Sequence, residues 1–193
     1  ILSELIDSLL KKSNINRFLF PPKSPHINME KYAIAYRGNK NSKVTMYIIS
    51  DFDCGKCIEH HSTYNSIYNK YKDRVKFGYV NYSGNPSPLI IASESFNNQG
   101  KFWEFHDTAF NIDVMIDSTR IFRIADSLQV NMMQFTNDFN STEIRDKISQ
   151  NFIGIENAGI YATPTIIINN RLLFNSASYD EIAKLIDTEL SKQ

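Results

Sequence analysis

Cysteine is scarce in this chain, with only two among 193 residues. A chain of this length can bury a hydrophobic core without covalent staples, so two cysteines exclude a fold built on a disulfide framework. Charge of one sign is also lacking, because 21 basic and 21 acidic side chains give a formal net charge of zero. This balance argues against a general nucleic-acid-binding protein. No apolar run reaches the roughly 20 residues of a transmembrane helix.

The two cysteines lie three positions apart, in the motif Cys54-Gly55-Lys56-Cys57. A loop this short hardly constrains the unfolded chain, so the pair is a poor structural crosslink. It is well suited to cycling between a dithiol and a disulfide. We therefore expect the function of the protein to reside in Cys54 and Cys57.

The sequence on either side places this pair between a strand and a helix. Residues 44–49 are mostly β-branched and aromatic, which predicts a buried strand. Residues 58–71 lack Pro and Gly and repeat large side chains at helical spacing. Cys54 then lies at a helix N-terminus, where unpaired N–H groups favour a thiolate, and Lys56 adds a positive charge. We predict that Cys54 is the nucleophile and that Cys57, one turn deeper, is the resolving thiol.

Metal binding is one alternative use of this pair. His60 and His61 follow within a turn of Cys57, so a Cys2His2 cluster or a metal-delivery site is an open interpretation. A structural zinc site usually takes its second pair of ligands from a separate segment, and His26 and His106 show no such spacing. We predict no metal site. A redox-inert pair of buried thiols is the other alternative.

A second motif stands far along the chain, where Thr163-Pro164 precedes the apolar residues 166–168. Proline cannot donate to a sheet, so it belongs at the start or edge of a strand. Both the cis and the trans form stay open here, because an X-Pro bond carries only a small cis penalty. Combined with the C-x-x-C motif, this pattern indicates a thioredoxin-type fold in which the proline loop lies against the cysteines.

Together these motifs resemble the DsbA-like branch of the thioredoxin superfamily over residues 30–192. The resemblance rests on four stretches: Ser50–Cys57, the helical residues 58–71, Gly100–Asp107 and Ala162–Thr165. It implies a thiol–disulfide oxidoreductase outside the cytoplasm, in the bacterial periplasm or cell envelope, either soluble or anchored. The chain begins at Ile1 rather than Met, from which we expect a processed or trimmed form.

The resemblance also implies roles for three pairs of residues: the catalytic cysteines, the dipeptide that tunes them, and the substrate-binding loop. In that order they are Cys54 and Cys57, Gly55 and Lys56, and Thr163 and Pro164. No cofactor is implied beyond the redox-active disulfide of the cysteine pair. The implied partners are protein or peptide thiols and disulfides, and a redox partner protein that is either soluble or membrane-bound.

The sequence departs from the family pattern in three ways. The dipeptide is Gly55-Lys56, where a proline is frequent, and Thr163 is more typical of isomerases and reductases. Ile48 stands where many relatives keep a buried acid that assists proton transfer. We predict a disulfide-forming oxidase. The alternatives are a thioredoxin-like reductase or isomerase, and a non-catalytic thioredoxin-fold binding module.

The order of predicted elements gives the α/β fold class, specifically a thioredoxin fold whose central mixed β-sheet is flanked by helices and interrupted by an embedded helical insertion. We expect an N-terminal helix and Pro-rich linker at 1–28 and a thioredoxin-like domain at 29–82 plus 160–193. The helical insertion should occupy 83–159. The apolar face of residues 1–12 predicts a helix that docks on the domain, forms a dimer contact or is a stem leading from a removed membrane anchor.

Finer expectations concern the turns and strands of the thioredoxin-like domain. Residues 38–41 should form a hairpin turn between strands at 32–36 and 43–49. A last strand at 172–174 and a closing helix at 179–190 complete the domain.

Several single residues of the insertion and the cysteine helix have ordinary structural interpretations. Trp103 is expected in the core rather than in a substrate groove, and Glu94 is expected to be solvated. His106 and Asp107 should not face each other, because adjacent helical residues point in different directions. His61 is expected to be a partly buried helix residue.

Overall fold

Five strands lie at the centre of the fold. The computed structural model describes Ser8, residues 26–112 and residues 116–192. The strands are β1 (Ala35–Gly38), β2 (Thr45–Ser50), β3 (Lys76–Asn81), β4 (Thr165–Ile168) and β5 (Arg171–Leu173). The helices are α1 (Gly55–Tyr71), α2 (Pro88–Asn97), α3 (Phe102–Phe110), α4 (Ser118–Ser127), α5 (Met132–Phe139), α6 (Thr142–Asn157) and α7 (Tyr179–Leu190). A short 3-10 helix, Glu30–Tyr32, precedes β1.

The strands form one mixed sheet in the order β1-β3-β2-β4-β5. β2 and β3 run parallel, and the other neighbouring pairs are antiparallel. β2 lies in the middle and is buried at every residue after Thr45, as expected for a largely apolar strand that is covered on both faces. The sheet therefore has the mixed pairing that the sequence predicted.

The predicted hairpin between β1 and β2 is wrong. β1 pairs with β3, with Tyr36 opposite Gly78, so β3 separates β1 from β2. The turn after β1 is held to the segment before β3, because the Asn39 N–H donates to the Val75 carbonyl at 3.0 Å. Gly38 is required there, since it has φ +81° and a Cβ would lie 2.5 Å from the Val75 carbonyl oxygen. Turn residues indicate where the chain reverses, but they do not choose the strand with which it pairs.

The sheet separates its side chains into two cores, because successive residues of a strand point to opposite faces. On one face, Ile48 of β2 and Tyr79 of β3 pack with α1 and the insertion. On the other face, Tyr47 and Ile49 pack with the segment that precedes β1. The side chains on the Ile48 face of β2 therefore point towards the helix that carries the cysteines.

Helices α2 to α6 occupy the chain between β3 and β4, so the predicted helical insertion is present. All but α3 begin at a side chain that caps the first turn, namely Ser87, Asp117, Asn131 and Ser141. Buried phenylalanine rings join the helices to one another: Phe96, Phe102, Phe105 and Phe135. The domain limits at 28, 82 and 159 stay predictions.

The expectation that Glu94 is solvated is wrong. Its helix, α2, packs against α3, α4, α5 and α6, so few of its side chains can reach water. Glu94 is only 1% exposed, and its Oε2 accepts a hydrogen bond from Lys147 Nζ at 2.9 Å. Pairing with this cation offsets the free-energy cost of burying the Glu94 carboxylate.

The predicted helix and dimer contact at 1–12 lie outside the described residues, apart from Ser8, and so does the proline-rich stretch 21–25. From His26 onwards the chain runs beside β5, where His26 bridges to Arg171 and the Ile27 N–H donates to the Asn170 carbonyl at 2.8 Å. This segment covers an edge of the sheet. No described helix is both long enough and apolar enough to cross a bilayer.

Candidate active site

The C-x-x-C pair lies where β2 passes into α1. The connecting loop is anchored by Phe52, whose buried ring packs on Phe105 at 5.5 Å and Phe110 at 5.0 Å between centroids. Cys54 is the N-cap residue of α1, with extended backbone angles of φ −82° and ψ 114°. Its carbonyl accepts from the Cys57 N–H at 2.9 Å, which closes the first helical turn. The strand and the aromatic anchor therefore fix the position of Cys54.

Cys54 is the outer thiol, and it is only partly buried. Its Sγ contacts the Thr163 carbonyl oxygen at 3.7 Å. Burial alone would raise the pKa of Cys54, but hydrogen bonds with Thr163 and Cys57, including the backbone N–H groups of Lys56 and Cys57, lower it overall. Free N–H groups at a helix start stabilise a thiolate in this way.

Cys57 is the inner thiol and is 1% exposed. Burial raises the pKa of Cys57 to about 11, against opposing hydrogen bonds from the Ser50 side chain and the Asp51 backbone. Both cysteines are free thiols in the structure. Their pKa values are pushed in opposite directions, and such a pair can take two different roles in one reaction.

The sequence predicted that the Lys56 charge would stabilise the Cys54 thiolate, but the structure shows this charge paired with another residue. Lys56 Nζ pairs with Glu59 Oε2 at 2.6 Å, and both side chains are more than half exposed. The causes that lower the pKa of Cys54 include the backbone N–H of Lys56, not its ammonium group. The position of residue 56 in the helix therefore matters more for Cys54 than its side-chain charge.

The proline loop lies beside the outer thiol. The Thr163–Pro164 peptide bond is cis. Ser176 Oγ donates to the Pro164 carbonyl at 2.8 Å, and Tyr64 Oη of α1 donates to the Ser176 carbonyl at 3.1 Å. The cysteine helix thus supports the loop indirectly, through the segment after β5.

Three exposed apolar side chains belong to the segments that build the site. Ile58 directly follows Cys57, and Tyr161 lies two residues before Thr163. Phe174 directly follows β5 and lies two residues before Ser176. Their exposed fractions are 51%, 71% and 72%, respectively. We call Ile58, Tyr161 and Phe174 the apolar rim. Exposed apolar groups of this kind commonly mark a surface for protein contacts.

His61 lies one helical turn after Cys57 but is part of the core. Its ring stacks on Phe110 at 4.6 Å, and its Nε2 lies 2.9 Å from the Asn65 side-chain nitrogen. Burial lowers the pKa of His61 to about 4. Among residues 26–112 and 116–192, no group of three or more His, Cys, Asp or Glu side chains is arranged to hold a metal ion.

The expectation that His106 and Asp107 do not face each other is wrong. His106 Nδ1 and Asp107 Oδ1 are 2.8 Å apart. The reason lies outside the helix: Arg37 of β1 is packed between the rings of Tyr68 and Trp103 and pairs with the Asp107 carboxylate at 3.1 Å. This contact draws the carboxylate towards the core, where His106 is buried. The cluster joins β1, α1 and α3, and Trp103 packs in it as expected.

Sequence reasoning missed three polar residues around the site. Ser50 lies next to Cys57, and Ser176 and Tyr64 support the proline loop. Ser50 could have been found from the sequence, because it ends an apolar strand and lies two positions after Ile48, which puts both side chains on the same face. Ser176 has no local signal, because its role depends on a contact with a loop twelve residues earlier.

The sheet order and the dithiol at the start of α1 define a protein class, the thioredoxin-fold proteins. The family model described as thioredoxin matches residues 31–188. The chain therefore belongs to the thioredoxin family, and the predicted fold class is confirmed.

Two curated relatives differ in what they share with the chain. Disulfide bond formation protein D of Bacillus subtilis is 25% identical over 170 residues, which cover 79% of this chain and 75% of that protein. A Na(+)/H(+) antiporter NhaA of Herminiimonas arsenicoxydans is 24% identical over 172 residues, which cover 88% of this chain. The chain spans only 26% of that antiporter.

Solved structures share the fold over most of the chain. Oxidised BdbD from Bacillus subtilis superposes with a TM-score of 0.73 at 24% identity, covering 89% of this chain and 100% of the other. DsbA from Chlamydia trachomatis superposes with a TM-score of 0.70 at 18% identity, covering 90% and 99%. Together with the disulfide bond formation relative, these structures confirm the resemblance to DsbA-like thiol–disulfide oxidoreductases.

Proposed function

We propose that the protein is a disulfide-forming oxidase that passes the Cys54–Cys57 disulfide to protein or peptide thiols outside the cytoplasm. The observation that carries this proposal is the opposite direction of the two pKa shifts, which lower the pKa of Cys54 and raise that of Cys57. Stabilising the Cys54 thiolate stabilises the reduced protein. A protein whose reduced form is stabilised gives its disulfide away readily.

The exchange runs in two steps. A substrate thiolate attacks Cys54 Sγ, the Cys54–Cys57 bond breaks, and Cys57 leaves with the electron pair and then takes up a proton. A second substrate thiolate attacks the substrate sulfur of the mixed disulfide, and Cys54 leaves as a thiolate. The substrate loses two electrons and the cysteine pair gains them. A redox partner protein, soluble or membrane-bound, then restores the disulfide without a diffusible cofactor.

We assign substrate binding to Thr163 and Pro164. The Thr163 carbonyl lies 3.7 Å from Cys54 Sγ, so an extended peptide that pairs with this loop brings its own sulfur to Cys54. Backbone pairing gives little sequence specificity. The apolar rim suits the exposed hydrophobic side chains of an unfolded substrate. Gly55 and Lys56 tune the pair mainly through the backbone of the first helical turn.

The reduction potential of the Cys54–Cys57 pair tests the proposed direction. The protein is equilibrated in glutathione buffers, the thiols are trapped, and the redox species are separated by mass. An oxidase should have a potential towards about −120 mV, whereas a reductase should lie near about −270 mV. A value at the reducing end would reject the oxidase and leave the reductase interpretation.

Two variants test the assigned roles in the same assay. Cys57→Ser should accumulate a mixed disulfide between Cys54 and glutathione, because the Cys54 thiolate attacks glutathione disulfide, one glutathione leaves as a thiolate, and no resolving sulfur remains. Cys54→Ser should form none. Ser95→Ala, which removes only a buried hydroxyl bonded to the Ile91 carbonyl, is the matched control. A wild-type pair that does not exchange with thiols at all would favour the binding module.

A further inference from the structure

The inner thiol presents an electrostatic problem that the exchange must solve. This inference rests on the proposed function, in which Cys57 leaves as a thiolate inside the protein. The side chain is 1% exposed, so water cannot solvate that charge. A buried charge is tolerated only when hydrogen bonds or an opposite charge compensate it. Ile48 of the adjacent strand offers neither.

Ser50 is placed to supply the missing hydrogen bond. It ends β2 two residues after Ile48, so its side chain points to the same face of the sheet, towards α1. It is 2% exposed. Burial is the main influence on the pKa of Cys57, and the hydrogen bond with the Ser50 side chain is the largest of those that oppose it. Strand position and burial therefore place the Ser50 hydroxyl on the face of the sheet that the cysteine helix covers, and its influence on the Cys57 pKa agrees with that placement.

Tyr79 lies on the same face, behind Ser50. β3 places it opposite Ile48, and its side chain is fully buried. Its phenol oxygen has no hydrogen-bond partner among the described residues. Burial raises the pKa of Tyr79 far above its ordinary value, and hydrogen bonding with the Ser50 side chain acts against that rise. A buried phenol without a partner is costly, and the Ser50 side chain lies on the same face of the sheet, two residues along β2 from the residue opposite Tyr79.

Two other polar groups near Cys57, the Tyr64 phenol and the Asp51 carboxylate, are already engaged. Tyr64 Oη donates to the Ser176 carbonyl at 3.1 Å. The Asp51 carboxylate accepts from the Asp53 N–H at 2.9 Å, and only the Asp51 backbone bonds the Cys57 sulfur. The Thr163 carbonyl contacts the outer thiol of Cys54, while the Thr163 side chain also lowers the pKa of Cys57, by less than Ser50 does.

We propose that Ser50 and Tyr79 form a buried hydroxyl pair that stabilises the Cys57 sulfur whenever it carries the negative charge. Ser50 donates directly to the sulfur and is a catalytic residue. Tyr79 donates to Ser50 and is a positioning residue. Both hydroxyl protons stay on their oxygens, so the pair lowers the energy of the leaving thiolate without changing the electron balance of the exchange.

The test measures the inner thiol without turnover. Cys54→Ala is made in the full chain, and alkylation of Cys57 by iodoacetamide is followed by mass across pH. Adding Ser50→Ala should raise the Cys57 pKa by about one to two units, the size expected for a hydrogen bond to a charged group. Tyr79→Phe should raise it by less, and Ser50→Thr should restore it because the hydroxyl returns.

Matched controls separate this effect from general destabilisation. Ser95→Ala and Tyr71→Phe remove buried hydroxyls elsewhere and should leave the Cys57 pKa unchanged. An unchanged Cys57 pKa in Ser50→Ala would overturn the inference. If Ser50→Ala does not fold, Tyr79→Phe takes its place, and an unchanged Cys57 pKa in that variant would overturn the inference.

A second readout uses the complete dithiol. The oxidised protein is mixed with a small thiol, and the reaction is quenched with acid at successive times. Mass spectrometry of the Cys54 mixed disulfide then gives the rate at which Cys57 leaves. Ser50→Ala should slow this step about tenfold or more, because the leaving thiolate loses its donor. The reduction potential should not move, since Cys57 is protonated in the reduced protein at neutral pH. A failed oxidase proposal appears in the potential of the wild-type protein, whereas failure of this inference appears only in the Ser50 and Tyr79 variants.

Discussion

The two sides of the first turns of α1 have opposite environments. The solvent side carries Cys54, Lys56 and Glu59, where the cation and the carboxylate pair in water and the thiol touches backbone groups. The core side carries Cys57 and His61, both under aromatic and aliphatic side chains. One helix therefore holds a more acidic thiol and a less acidic thiol within a single turn.

This difference shows that the position of a cysteine in the helix, and not its residue type, determines whether its thiol pKa is lowered or raised. Both reactive side chains are cysteines, and the charged side chain between them is not the cause of their difference. The N-terminus of the helix offers free N–H groups to the outer sulfur. Its core side removes water from the inner sulfur and from the imidazole one turn later.

The largest expected consequence is a difference in reactivity between the two thiols. With the reduced protein at pH 7, iodoacetamide should modify Cys54 more than about 100-fold faster than Cys57, because only the thiolate reacts. The pKa of about 11 leaves Cys57 almost entirely protonated at that pH. Mass spectrometry of the modified peptides, sampled over time, measures the ratio.

Two single variants identify which sulfur reacts. Cys54→Ser should slow total alkylation strongly, and Cys57→Ser should leave the fast phase in place. Equal rates for both thiols would contradict the contrast between the two sides of the helix. Unfolding the protein in guanidinium should bring the two rates together, since the difference belongs to the fold.

The next expected effect concerns His61 and the pH dependence of stability. Burial lowers the pKa of His61 to about 4 in the folded protein. The unfolded chain therefore binds a proton near pH 6.5 that the folded protein refuses, so the free energy of unfolding should fall as pH drops from about 6.5 towards 4. The expected loss is about 1–3 kcal/mol, measured by urea unfolding between pH 7 and pH 4.5.

The variant His61→Gln keeps a hydrogen-bonding group for Asn65 but cannot take the proton. Its stability should decline less over the same pH interval. Part of the decline should remain, because burial also lowers the pKa of His106. Ser62→Gln, at an exposed position of the same helix, should retain the full decline. A decline in His61→Gln as steep as in the wild type would mean that His61 is not buried in its neutral form.

Much of this arrangement could be predicted from the sequence because its signals are local. The apolar strand, the C-x-x-C motif and the helical spacing after it lie within about 30 residues and report directly on strand and helix periodicity. The closing helix at 179–190 is found as predicted, as α7. Helical periodicity after residue 83 likewise predicted the insertion between β3 and β4, and the family resemblance agreed with it.

The errors have a common cause in contacts between distant segments. The partner of β1 depends on which edge of the sheet is free, and a turn sequence carries no information on that. Glu94 is buried because four other helices surround its own. His106 and Asp107 meet because Arg37, seventy residues earlier, holds the carboxylate. In each case a local rule was correct for an isolated element, and tertiary packing overrode it.

The smallest expected effect is the one for Lys56, and it bears most directly on the contrast between position and charge. If the ammonium group controlled Cys54, then Lys56→Gln would raise the pKa of Cys54 and make the reduction potential markedly more negative. We expect a shift below about 10 mV, because the ammonium is paired with Glu59 in water and exposed pairs contribute little. The potential is measured in glutathione buffers at low and at physiological salt.

Glu59→Gln, which frees the ammonium, is the matched variant and should shift the potential only at low salt, where screening is weak. A large shift in Lys56→Gln at both salt concentrations would show that side-chain charge, rather than the N–H groups of the helix start, stabilises the outer thiolate.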